Sequence, residues 1–397
     1  MNEAADADPP ITYLDHASST PVRPEVAQAM APFAAQRYGN ASGSHRLARQ
    51  ARQALEEARE LVAAALGAVP AEVVFTGGGT EADNLAVVGA VAAQAEQGEL
   101  GVIVCSAIEH AAVLEPCRAL SNGRVLGVPP RELREAPVDR NGVVDLEALA
   151  RLLGPEVCFV SVMLANNEVG TVQPVGAVAR LVRHHAPAAT VHTDAIQAVA
   201  YLDVATATAD ADLVSVSAHK IGGPKGVGAL VVREGTPLAP IFFGGGQERE
   251  RRSGTHDVAG AIGLATALEL CARERISEEK RVAGLRDRLA DGLLGSIGDS
   301  LESADRDRVL SGHCHLRFAG CEQEELLVLL DDAGICASAG AACASGALEP
   351  SHVLVAMGVP APEAASAIRF TLGHSSTDED VDRALATVPA AVARLRR

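Results

Sequence analysis

Lysine is nearly missing from this chain. Of its 34 basic residues only Lys220, Lys225 and Lys280 are lysine, against 51 Asp and Glu and a formal net charge of −17. Without clustered positive charge, a nucleic-acid surface is not expected, and docking on an anionic membrane is disfavoured for the same electrostatic reason. No apolar run reaches the roughly 18 residues that a spanning helix needs. The N-terminus, MNEAADADPP, lacks the basic and apolar regions of a signal peptide. The expectation is a cytoplasmic enzyme. The eight cysteines form no C-x-x-C pair, and only His313-Cys314-His315 sets histidine beside one. A metal site is therefore not expected, and the thiols read as reduced and mostly buried.

What is present is a large apolar budget of residues. At 48% hydrophobic and 21% charged, 397 residues bury a substantial core. Short β-like runs alternate with longer helical ones. The pattern predicts helices over 48–66, 81–95 and 174–186, and strands over 72–76, 101–105, 157–164, 190–194, 212–218 and 227–232. That alternation predicts an α/β fold with a mostly parallel sheet covered on both faces. After about residue 260 the texture changes to a long helix (258–293), a strand (313–318), a helix (322–333), a small-residue loop (337–347) and terminal helices around 351–358 and 377–395. The expected division is a large domain over 15–258 and a smaller α+β domain over 259–397, joined by the N-terminal segment 1–14.

Ligands in open α/β sheets bind beyond the carboxyl ends of the strands, and four constellations fall at such ends. Thr76-Gly77-Gly78-Gly79-Thr80-Glu81 joins a strand to a helix; glycines and free N–H groups there suit an anion, or simply a capped turn. Asp194 ends the run TVHTD with Gln197 just beyond; it suits a cationic ring nitrogen, or a helix cap. Ser217-Ala218-His219-Lys220 ends an apolar strand. A lysine so placed becomes a nucleophile toward carbonyls and is where pyridoxal phosphate attaches; its scarcity in this chain favours that reading over a surface lysine. Cys343 sits within SAGAACASG, a loop able to carry a thiol to a substrate, or an inert cysteine.

Taken together, these describe a phosphate cradle, an acid for a ring nitrogen, a cofactor lysine and a thiol. The combination resembles the fold-type I pyridoxal-phosphate enzymes of the class V aminotransferase family, and within them the group I, NifS/IscS-like cysteine desulfurases. The resemblance runs from Tyr13-Leu14-Asp15-His16-Ala17 to about Ser376. It is carried by TEADN (80–84), IEH (108–110), NNEVGT (166–171), HTDAIQ (192–197), SAHKIGGPKG (217–226), GGGQERERRSGT (244–255), ACASGALEPSHVL (342–354) and IRF (368–370).

The resemblance implies roles position by position. Lys220 would hold pyridoxal 5'-phosphate and move the substrate α-proton. Asp194 would pair with the ring nitrogen, Gln197 reach the phenolic oxygen, and His110 stack on the ring and act as acid or base. Asn167 would contact cofactor or substrate. Gly79, Thr80, Ser217 and His219 would hold the phosphate, with Thr255 supplied by the partner of a homodimer. Arg369, helped by Asn40, would clamp the carboxylate of L-cysteine. Cys343 would take the sulfur as a persulfide for an acceptor protein. Departures from the family pattern fall at His16, Ser18, Ser19, Ala218, Ala341, Ala344 and Gly373-His374-Ser375, and the chain ends soon after its last helix. The competing readings are a selenocysteine lyase or another C–S lyase, then a transaminase, then a silent dimerising subunit; intact Lys220, Asp194 and Cys343 argue against the last.

Overall fold

In the computed structural model, which describes residues 11–98, 100–340 and 350–397, the main sheet is seven-stranded. Its strands are β2 (Val73–Thr76), β3 (Val102–Ser106), β4 (Leu133–Ala136), β5 (Val157–Ser161), β6 (Thr190–Asp194), β7 (Leu213–Ser217) and β8 (Gly228–Val232), after the short N-terminal β1 (Thr12–Tyr13). They lie in the order β2-β8-β7-β6-β5-β3-β4. β3, β4, β5, β6 and β7 pair in parallel, while β8 runs antiparallel to both β7 and β2. Strands β2, β3, β5, β6, β7 and β8 are buried along their whole length, as a sheet covered on both faces requires. The expected mostly parallel α/β architecture is what the chain adopts.

Strand β4 was not expected. Its sequence, LREA, is half-exposed and charged, because it closes the edge of the sheet; edge strands carry such residues to block further pairing. The expected strand 157–164 stops at Ser161, where the chain turns and Met163 N donates to the Glu109 carboxylate at 2.8 Å. The helix expected over 81–95 begins at Gly79 and runs to Glu96 through a π turn at Leu85–Gly89.

A second, antiparallel sheet holds β9 (Ser300–Glu302), β10 (His313–Phe318) and β12 (Ala367–Thr371), while β11 (Ile335–Cys336) pairs in parallel with β1. One apolar core lies under the main sheet and another gathers Leu14, Leu316, Phe318, Ile335 and Phe370. The helix Val258–Ser296 serves both. Its first third, through Cys271, is buried in the large core, and Val282–Leu293 is buried in the other. At 39 residues it is about 58 Å long. Among the described residues, no helix is long and apolar enough to cross a membrane.

Candidate active site

The carboxyl ends of β2, β3, β5, β6 and β7 open on one cavity of about 540 Å³. Gly79, Thr80, His110, Asn167, Asp194, Gln197, Ser217, His219, Lys220 and Arg369 all line it. Three expected residues stand elsewhere or cannot be placed. Asn40 is exposed and accepts from Ser42 N at 2.9 Å, outside the lining. Thr255 is exposed on the loop before the long helix. Cys343 lies outside the described residues; Gly340 lines the cavity.

Lys220 follows β7 in a single helical turn. Its Nζ donates to the Ala17 carbonyl at 2.6 Å and to the Ser18 carbonyl at 2.8 Å. Gln197 Nε2 donates to the same Ala17 oxygen at 2.8 Å, and Thr20 Oγ1 to the carbonyl of His219 at 2.9 Å. The N-terminal segment is thus laced to the lysine and to the residue beyond β6. Asp194, the last residue of β6, is buried and accepts from Ile196 N at 2.8 Å. Burial pushes its carboxyl up to about 6, against the opposing pull of that N–H and of the Lys220 charge.

His110 caps the helix Ala111–Ser121, its Nδ1 accepting from Ala112 N at 3.1 Å. That bond leaves the ring proton on Nε2. Burial, aided by the charges of Lys220 and His352, lowers its pKa to about 4, so the ring is neutral at physiological pH. His219 is likewise lowered to about 4 by burial and by Lys220 and Lys225.

The anion cradle is built from backbone. Gly78 adopts φ +140°, a conformation costly for any side chain, and a Cβ on Gly79 would come within 2.3 Å of Ile196 Cδ1. The Ser217 hydroxyl is buried at the end of β7 and has no hydrogen-bond partner. The Gly77 N–H is taken by Glu81 Oε2 at 2.8 Å, but an unspent hydroxyl beside the N-terminus of the helix from Gly79 and a neutral histidine is a donor set for a phosphate. With a lysine amine and a buried acid in the same cavity, the residues fit pyridoxal phosphate.

Arg369, on β12, enters from the second sheet. Its Nη1 donates to the Asn167 carbonyl at 2.8 Å, and its Nη2 to Asp15 Oδ1 and Ser18 Oγ, each at 2.8 Å. Its Nε is buried without a partner. The guanidinium is oriented by the protein and keeps a donor unspent, which suits a carboxylate.

Sequence reasoning passed over several residues here. Asp15, Asp83 and Glu109 were visible only as letters inside longer motifs, since nothing in a sequence distinguishes a buried carboxyl from a capping one. Beyond the cavity, Glu248, Arg249 and Glu250 have φ of 46°, 56° and 64°, a left-handed run of non-glycine residues. Arg59 holds that run by donating from Nη1 and Nη2 to the two Glu248 oxygens at 2.8 Å each, and Phe75 N and His256 add further contacts.

A lysine-bearing pocket at the carboxyl edge of a mostly parallel sheet places the protein among the fold-type I α/β enzymes. The family model for class-V aminotransferases matches residues 12–384, and the chain belongs to that family. It is 45% identical to an IscS-like cysteine desulfurase of Mycobacterium tuberculosis over 98% of each chain. It is 40% identical to the cysteine desulfurase NifS of Azotobacter vinelandii, covering 97% of this chain and 93% of that protein. A solved NifS-like protein superimposes with a TM-score of 0.89 at 35% identity, covering 97% of this chain and 100% of that one.

Proposed function

We propose that this protein is a pyridoxal-phosphate-dependent cysteine desulfurase, which converts L-cysteine to L-alanine and leaves the sulfur as a persulfide on Cys343 for an acceptor protein. The observation that carries the reading is the convergence of the Lys220 amine, the Asp194 carboxyl and the oriented Arg369 guanidinium on one cavity. The desulfurase relatives supply the reaction.

Gly79, Thr80, Ser217 and His219 would hold the phosphate, Asp194 the ring nitrogen and Gln197 the phenolic oxygen. When bound there, the cofactor supplies an electron sink for the pair released at the substrate α-carbon. Arg369 binds the substrate carboxylate through the donor that Asp15 and Asn167 leave unspent. Lys220 Nζ takes the α-proton and returns protons to the carbon skeleton, acting as base and then acid. His110, neutral with its proton on Nε2, packs against the reacting face and offers a hydrogen bond rather than a charge. Cys343 Sγ attacks the substrate sulfur: the S–S bond forms as the Cβ–S bond breaks, and the electron pair left on carbon is protonated to give alanine.

The working unit of this reading is a homodimer. Thr255 lies outside the cavity of its own chain, on an arm whose neighbours Phe242 and Phe243 are 49% and 88% exposed, and a second copy of the chain would cover them. The decisive assay measures alanine, sulfide and protein-bound persulfide from L-cysteine in parallel with L-selenocysteine. Stoichiometric alanine with persulfide on Cys343 supports the desulfurase; turnover of selenocysteine alone points instead to the lyase.

A further inference from the structure

Two buried carboxyls, Asp83 and Asp194, line this cavity. Asp83 lies one turn into the helix that starts at Gly79, lines the cavity together with Asp194, and is fully buried. Neither of its oxygens is held in a well-formed hydrogen bond, and the Ser215 hydroxyl is the polar group that acts on it. We propose that Asp83 is held as a neutral acid beside Asp194, so that this wall carries a single negative charge and Asp194 alone answers the ring nitrogen. This rests on the pyridoxal-phosphate reading of the pocket, which it deepens by naming a positioning residue for it.

The surroundings leave Asp83 no cation. His192 Nε2, on β6, is 3.7 Å from Asp83 Oδ1, but its ring is committed to hydroxyls, with Nε2 at 3.0 Å from Ser215 Oγ and Nδ1 at 2.9 Å from Ser161 Oγ. Burial holds that imidazole neutral, lowering it to about 3. Ser161 Oγ donates onward to Glu109 Oε2 at 3.3 Å, and Ser106 Oγ to Glu109 Oε1 at 2.6 Å. Glu109 is another buried carboxyl, pushed by burial up to about 7. Strand β8 brings no charge, and the helix Ala111–Ser121 brings the Cys117 thiol, which bonds Cys105. Three cations line the cavity, Lys220, Lys225 and Arg369; Lys220 acts on Asp194, and none of the three is among the groups that act on Asp83. For Asp83, burial and the Asp194 charge raise the carboxyl well above its ordinary value, outweighing the Ser215 hydroxyl. An unpaired carboxylate in such a place takes up a proton rather than remain charged. Of two neighbouring acids, the one without the lysine keeps the proton.

The test reads protonation in the cofactor-free protein. At about pH 8, above the values near 6 and 7 at which Asp194 and Glu109 ionise, infrared spectra of the wild type should show a protonated-carboxyl band that Asp83→Asn lacks. Thermal melts give a second reading: because the unfolded chain ionises Asp83 at about pH 4, the stability advantage of Asp83→Asn should widen by several degrees from about pH 5 to 8. Equal spectra, or a pH-independent gap, overturn the proposal. If the asparagine variant does not fold, the wild-type band decides alone: its complete loss by about pH 8 means that Asp83 is ionised. Adding pyridoxal phosphate to the wild type separates the two readings, since failure to gain visible absorbance refutes the cofactor pocket whatever the infrared result on Asp83.

Discussion

Arg369 Nη2 and Asp15 Oδ1 are 2.8 Å apart, with the arginine side chain 3% exposed and the aspartate 19%. The pair ties β12 of the second sheet to the segment that also accepts from Lys220. Removing one partner of a buried pair strands the other charge. Asp15→Ala should therefore cost about 2 kcal/mol in denaturant unfolding. It should also raise KM for cysteine by about tenfold, with a smaller change in kcat, because the guanidinium then swings between partners. An unchanged KM would show that Arg369 does not need Asp15 to meet the substrate.

Two lysines line the same cavity, Lys220 and Lys225, and only one should bind cofactor covalently. Lys220→Ala should lose the visible absorbance of the covalent complex and all turnover, lowering the rate by at least about a thousandfold. Borohydride reduction of the wild type followed by peptide mapping should label Lys220. A label on Lys225 would reassign the attachment.

Glu248 gives a stability prediction independent of catalysis. Burial works against its charge, but the hydrogen bonds from Arg59 and His256 outweigh it and hold the carboxyl down to about 2. A depressed folded-state value contributes stability that is present above the unfolded value of about 4.3 and lost as pH falls toward 2. The contribution is about 3 kcal/mol at neutral pH. Glu248→Gln should thus be less stable than wild type by about that amount at pH 7, and the gap should close by about pH 2 to 3. If the proposed homodimer uses the loop that carries Thr255, which follows the left-handed run opened by Glu248, the same variant should dissociate more readily on dilution in sedimentation runs.

The parts of this protein that were legible beforehand share a physical reason. Buried strands such as VIVCS and GALVV are almost wholly apolar on both faces, so they stand out as runs, whereas TVHTD carries buried polar residues and its end falls where ligands bind. Edge strand β4 carries Arg134 and Glu135 because its outer side meets water, and it therefore reads as a loop. Glycines at 77–79 mark a turn in either view, but the steric reason for Gly79, the nearness of Ile196, needs the fold. Least visible are the buried acids. Asp83, Glu109 and Asp194 are the same letters whether exposed or buried, and only the fold, which lays the helix from Gly79 against β7 and β8, brings two of them to one cavity.

Cys343 carries the last prediction. The other seven thiols divide sharply: Cys105, Cys117, Cys158, Cys271, Cys314 and Cys321 are buried, and Cys336 is half-buried on β11. Burial together with the charges of Asp331 and Asp15 raises the Cys336 thiol, which leaves it less thiolate than a free cysteine at about 8.5. It is thereby a poor substitute nucleophile. Cys343→Ala should keep cofactor absorbance and still bind cysteine, because Lys220, Asp194 and Arg369 are untouched. It should lose persulfide and alanine formation by at least about a hundredfold. Cys336→Ala should retain turnover within about threefold, and alanine at the fully buried Cys314 should act through stability, at about 1 to 3 kcal/mol. Alkylation mapping of persulfide after one turnover, together with alanine release, checks all three. If Cys343→Ala released alanine and sulfide at the wild-type rate, sulfur would be leaving by direct elimination, and the thiol would have no part in the reaction.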